Sequence, residues 1–136
     1  MTHTRLPDWR KHLLAYLQHT ARTPFEEGLN DCALFVAGGV LAMTGHDFAA
    51  PYRGQYSTTV GGMRLLRDNG FADHIALAKS HLPTKSVAFA NVGDAAVMPS
   101  PDGPALGIVQ GPNVYVLAPS GLAHLPLTNA TEILGV

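Results

Sequence analysis

Residues 28–45 read GLNDCALFVAGGVLAMTG, and the fold is read outward from them. Asn30 and Asp31 are both residue types that cap a helix by accepting a bond from its free N–H groups. Cys32 follows in the first turn, and from there to Met43 there is hardly a polar side chain before the Thr44-Gly45 stop. A helix apolar on every side belongs inside the protein. Gly38 and Gly39 cost it about 1 kcal/mol each in propensity, which is tolerable where another backbone must approach closely. Cys32 is therefore expected at the start of a buried helix, where the positive end of the helix dipole lowers a thiol's pKa. Free cysteine is also a common buried space-filler, and its position at a helix start does not by itself separate the two roles.

Upstream, Leu6-Pro7-Asp8 reads as a helix start, with Trp9, Leu13, Tyr16 and Leu17 at helical spacing and Arg10, Lys11 and Gln18 on the outer face. This helix is expected to end between Thr20 and Thr23, before Pro24. Downstream, a third helix begins near Ser57 or Thr58, carries Met63, Leu65 and Leu66, and closes at Asn69-Gly70. Asp73 to Lys79 adds a short one. Past Pro83 the periodicity changes to short apolar runs at Ala95–Met98, Ala105–Gln110, Val114–Leu117 and Leu122–Leu127, separated by three Pro/Gly turns. Four strands joined by such turns read as an antiparallel meander, and helices followed by strands make the class α+β.

The bulk numbers agree with one domain spanning residues 1–136: 46% hydrophobic, 14% charged and long enough to bury its own core. A net charge of -1 argues against nucleic acid as the main ligand. One cysteine permits no internal disulfide, and Met1 to Arg5 lead into an amphipathic segment rather than an apolar signal core, so cytoplasmic synthesis is expected. No apolar run reaches the ~20 residues of a membrane span. No histidine pair has the spacing of a metal site and there is no second cysteine, so neither a metal nor a cofactor is expected.

Gly28-x-x-Asp31-Cys32-x-x-Phe35, an apolar helix, Gly93-Asp94-x-x-Val97 opening a strand and Gly107-Ile108-Val109 on the next resemble the NlpC-type papain-like cysteine peptidases, over roughly residues 24 to 118. With Pro24-Phe25, Thr44-Gly45-His46-Asp47, Arg53-Gly54-x-Tyr56 and Gly121-Leu122, the chain more closely resembles NlpC-like phage and prophage proteins that accompany tail-tip genes. Those usually carry tryptophan where Glu27 stands here. The resemblance implies a papain-like fold with Cys32 as nucleophile, peptidoglycan stem peptides as substrate and tail-tip proteins as partners.

It also says where the supporting groups belong. A cysteine peptidase needs an imidazole near its sulfur to take the thiol proton and deliver it to the leaving amine. The residue matching the family histidine is Ala105, and the polar residue that orients the ring would fall among Val116, Leu117 and Ala118. Of the seven histidines, His124 on the last meander strand is the best-placed substitute, about 10 Å away if the strands pair in chain order. His74 and His81 are expected at the surface beside the short helix, His12 and His19 lie on the first helix, and His46 reaches back only if its loop folds over. Asp31 reads as a helix cap, Arg53 and Tyr56 as loop anchors or as binders of a ligand carboxylate or a peptide, and the segment Tyr52 to Val60 as compatible with a protein interface. Two functions are left open: a structural component of a phage or prophage tail tip with a degenerate peptidase fold, and an active peptidase or amidase acting on peptidoglycan.

Overall fold

The computed structural model describes residues 4–136; Met1, Thr2 and His3, on which the reading of the N-terminus partly rests, lie outside the described residues. Among the described residues four α-helices, α1 (Trp9–Ala21), α2 (Cys32–Thr44), α3 (Thr59–Asp68) and α4 (His74–His81), come first. Six strands follow: β1 (Thr84–Lys85), β2 (Ala95–Met98), β3 (Ala105–Gln110), β4 (Asn113–Ala118), β5 (Gly121–Pro126) and β6 (Glu132–Leu134). The molecule is α+β, helices before strands. No described helix is long and apolar enough to cross a membrane.

The helix boundaries follow their capping chemistry. Asp31, Thr58 and Asp73 each turn a side-chain oxygen onto an amide of the following first turn, at Leu34, Gly61 and Ala76. Asp8 precedes α1 without such a bond and pairs instead with His12 one turn on, at 3.0 Å. Gly45 ends α2 at φ 79, the left-handed conformation of a helix stop. The two glycines inside α2 admit side chains, not the neighbouring backbone expected from sequence. A Cβ on Gly38 would meet the Tyr16 hydroxyl oxygen at 2.3 Å, and one on Gly39 would meet Ile108 Cδ1 at 2.6 Å. Tyr16 of α1 thereby stacks on Phe35 with ring centroids 5.9 Å apart and donates its hydroxyl to the Phe35 carbonyl at 2.7 Å. Burial pushes the Tyr16 hydroxyl pKa up to about 12.

The sheet runs β1-β6-β2-β3-β4-β5, with every neighbour antiparallel. β2 to β5 are the expected meander; β1 and β6 are additions that short apolar runs did not signal. β6 inserts between β1 and β2, setting Leu134 opposite both Thr84 and Ala95. One face of the sheet, with Val97, Leu106, Ile108 and Leu117, packs against Leu34, Phe35 and Val40 of α2. The other face, with Ala96, Met98, Val109, Val114 and Ile133, is covered by Val87 and Leu127 from two short 3-10 turns. Alternating strand side chains thus find apolar partners on both sides.

The Gly93-Asp94 pair serves this architecture. Asp94 is 1% exposed and takes Arg5 at 3.2 Å, Lys85 at 2.6 Å and the amides of Asn91 and Val136. Arg5 reaches further, to the carbonyls of Val92 and Val136. A buried carboxylate satisfied by two cations and two amides ties the beginning and end of the described chain to the start of β2.

Candidate functional site

Cys32 sits half-buried in the first turn of α2, and its sulfur meets the carbonyl oxygen of Leu106 on β3 at 3.7 Å. The helix start is thus docked on the strand where the family histidine is expected, and the residue before Leu106 is Ala105. Burial pushes the Cys32 thiol up from its ordinary pKa, and the charges of Asp31 and Glu27 add to the rise. The bond with Leu106 opposes this rise without cancelling it, so the sulfur is held as the thiol rather than the nucleophilic thiolate.

Asp31 is buried and its carboxylate is fully engaged: it accepts from the amides of Leu34 at 3.0 Å and Gly28 at 2.9 Å and from the Tyr56 hydroxyl at 2.5 Å. Burial and this bond hold the Tyr56 hydroxyl well above its ordinary pKa. Gly28 has φ +87, and a Cβ there would lie 1.9 Å from the Tyr56 carbonyl oxygen, so only glycine lets the two segments touch. Arg53 is likewise an anchor, bonding Asp47 through Nε at 2.7 Å and reaching the Leu34 carbonyl at 3.5 Å. Of the segment expected to face a partner, Tyr52 is buried and Tyr56 half-buried, while Val60 is 68% exposed.

Cys32 opens onto a cavity of about 300 Å³. Its walls are mostly apolar and aromatic, among them Phe25, Phe48, Tyr52, Met63 and Leu66, and its polar lining includes Glu27, Asp31, Asp73, His74 and Asp102. Glu27 accepts a bond from the Thr59 hydroxyl at 2.8 Å.

The histidines distribute as follows. β3, β4 and β5 do pair in chain order, so His124 lies two strands from β3, exposed, opposite Tyr115 and outside the cavity lining. The reading of His74 as a surface residue is corrected: it lines the cavity with Cys32, its Nε2 is shielded from solvent, and that atom has no hydrogen-bond partner among the described residues. Burial lowers the His74 pKa, against the opposing charges of Asp73 and Asp31. His81 is also drawn inward, stacking on Phe48 at 5.3 Å and standing 6.3 Å from the His46 ring. Among the described residues no three or more of His, Cys, Asp and Glu gather as metal ligands do.

A sequence signal for His74 existed. Asp73-His74 opens α4 as Asp31-Cys32 opens α2, each an aspartate cap followed by a chemically competent side chain in the first turn. What the pattern lacks is any indication that the two helix starts share one cavity. Near Ala105, Leu117 is buried, and Val116 stands beside Gly107, where a Cβ would meet it at 3.0 Å.

A search of curated proteins finds no match to this chain. The model of a family described as a domain of unknown function, DUF6950, matches residues 4–136. Nearly the whole chain is covered, and the protein belongs to that family.

Proposed function

We propose that this chain is a non-catalytic NlpC-like module, a papain-like fold retained for its shape and surfaces, acting as a component of a phage or prophage tail tip. The observation that carries the non-catalytic part is the environment of Cys32. Its sulfur is bonded to the Leu106 carbonyl, alanine occupies position 105, and the thiol is held protonated. The papain-like reading is supported by the docking of the cysteine helix on the strand that carries Ala105-x-Gly107-Ile108. The tail-tip assignment rests on the sequence resemblance around Arg53-Gly54-x-Tyr56 and Gly121-Leu122.

Purified protein incubated with cell-wall fragments, beside Cys32→Ala, tests it. No cleavage by either form is expected, together with co-purification of the tail proteins encoded beside it when all are co-expressed. Cleavage that vanishes with the sulfur would overturn the reading.

One observation favours a second reading, that of an active cysteine amidase: His74 lines the same cavity as Cys32, and its Nε2 has no hydrogen-bond partner among the described residues. In that case Nε2 takes the thiol proton, the sulfur attacks the amide carbon, and the proton passes to the leaving amine as the thioester forms. Water then hydrolyses the thioester and restores the thiol. Cleavage abolished by both Cys32→Ala and His74→Ala would establish it.

A further inference from the structure

The two edges of the sheet differ in character. β1 is two residues long and carries Lys85, a short border that gives an incoming strand little to pair with. β5 is six residues long, Gly121-Leu122-Ala123-His124-Leu125-Pro126, and holds no lysine, arginine or carboxylate. Its neighbour on one side is β4, paired residue for residue from Ala118↔Gly121 to Asn113↔Pro126 without a bulge. The devices that blunt a natural edge, charge, bulges and shortness, are thus present at β1 and missing over most of β5.

Which backbone groups of β5 face outward follows from its register. Antiparallel pairs alternate between those that exchange both backbone bonds and those that exchange none. The Leu127 amide donates to the Pro112 carbonyl at 2.8 Å, which continues the β4–β5 register by one pair and sets the phase. Gly121, Ala123 and Leu125 therefore direct their amides and carbonyls to β4, while Leu122 and His124 direct theirs away from the sheet. No turn or loop bond reaches the outward groups of Leu122 or His124 among the described residues, and Ala123 and His124 are exposed. Pro126, the next outward position, has no N–H and ends the row of donors.

We propose that β5 pairs with β5 of a second copy of this chain, antiparallel about a two-fold axis at Ala123, so that two sheets join into one. The edge specifies this partner by being its own complement. Leu122 and His124 stand two positions apart, so each Leu122 faces the other copy's His124 and exchanges both backbone bonds with it. Ala123 then meets its own copy in a pair without hydrogen bonds, where Cα atoms approach to about 4.5 Å and a methyl group fits. Because the strand carries no lysine, arginine or carboxylate, self-pairing brings none of these charges together. An axis at His124 would instead set two imidazoles directly opposite each other and Leu122 against Pro126, which has no N–H. The contact is isologous and closes at two copies, since the remaining edge is the two-residue β1. It holds whether or not Cys32 is catalytic.

Sedimentation velocity of the full chain over a range of concentrations tests it, and a reversible dimer with a dissociation constant on the order of 100 µM is expected for so small an interface. His124→Pro removes an outward N–H that β4 does not use, and is expected to raise that constant at least tenfold with an unchanged urea midpoint. Ala123→Lys, at an exposed position, sets two ammonium groups against each other and is expected to do the same. In a Cys32→Ala background, Ala123→Cys is expected to oxidise to a covalent dimer at least tenfold faster than Arg67→Cys on the exposed side of α3. A chain that stays monomeric at about 1 mM, the upper end of weak association, would overturn the pairing and leave the edge to a strand of another protein. Dimers undiminished by both edge variants, or equal oxidation of the two cysteine variants, would overturn it as well.

Discussion

The sulfur of Cys32 points at the carbonyl oxygen of Leu106 from 3.7 Å, one residue along β3 from Ala105. Ala105 itself pairs with Met98 and shares the sheet face into which Met98 packs, away from α2 and the sulfur. Replacing Ala105 by histidine tests that geometry. In Ala105→His the pH midpoint of Cys32 alkylation by iodoacetamide is expected to stay where it is, because the new ring leaves β3 on the face opposite the sulfur. The unmodified protein is expected to alkylate only above the ordinary thiol range, and a midpoint lowered by about one unit in the variant would count against this register.

Asp31 holds three donors from two chain segments while buried at 3% exposure. Asp31→Ala removes the α2 cap and leaves the amides of Gly28 and Leu34 and the Tyr56 hydroxyl without their acceptor. A loss of about 3 kcal/mol is expected, on the order of 10 °C in melting temperature. Tyr56→Phe removes a single bond and is expected to cost about 1 kcal/mol. Similar losses from the two substitutions, measured by urea denaturation, would show that the cap contributes little.

At the other end of the molecule Asp94→Asn leaves Arg5 and Lys85 facing a neutral group. Both cations are partly exposed, at 17% and 28%, so water screens part of the damage and about 2 to 3 kcal/mol is expected. Because Arg5 and the Val136 amide share this carboxylate, hydrogen exchange is expected to speed up first at the chain ends and in β6. Loosening confined to α2 would contradict the account.

His74 makes stability depend on pH in a defined direction. Its folded-state pKa lies below the ordinary value of 6.5, so below 6.5 the unfolded chain binds a proton that the folded chain refuses. The contribution is fully present above pH 6.5 and is lost as pH falls from 6.5 toward the lowered folded value. Its slope is at most about 1.4 kcal/mol per pH unit for one proton. His74→Leu is expected to flatten the urea midpoint between pH 7 and the onset of carboxylate titration at about pH 4.5. A wild-type midpoint independent of pH across that window would show that the ring is not held neutral.

The glycines of α2 give a packing test. In Gly39→Ala the new methyl would sit 2.6 Å from Ile108 Cδ1, the far end of a side chain that can move. In Gly38→Ala it would meet the Tyr16 ring and hydroxyl, whose bond to Phe35 would have to break. The second substitution is expected to be worse by about 1 to 2 kcal/mol, despite the gain in helix propensity that both share.

Sequence reading located all four helices to within one or two residues, because caps, stops and apolar periodicity act over three or four positions. Asp31 before Cys32 and Gly45 after Thr44 are visible in any copy of the chain. The meander was legible for the same reason, its turns being written in proline and glycine. β6 was not, since Glu132-Ile133-Leu134 is three residues long and is made a strand only by the edges of β1 and β2 on either side. His74 was misplaced because surface exposure was inferred from a short helix, whereas its place in the cavity wall depends on distant segments that bring Phe48, Tyr52 and Met63 to the same cavity.

The sequence by itself determined an α+β protein built around Cys32 at a capped, buried helix start, with alanine at the position where a peptidase histidine is expected. Tertiary structure decided what that cysteine faces: a backbone carbonyl on one side, and on the other a cavity assembled from residues 25–34, 48–66, 73–77 and 102–104. Local hydrogen bonds and turn preferences are short-ranged and leave their mark on neighbouring residues. Desolvation, which raises the pKa of the thiol, and the meeting of two helix starts in one cavity arise only when distant segments pack together.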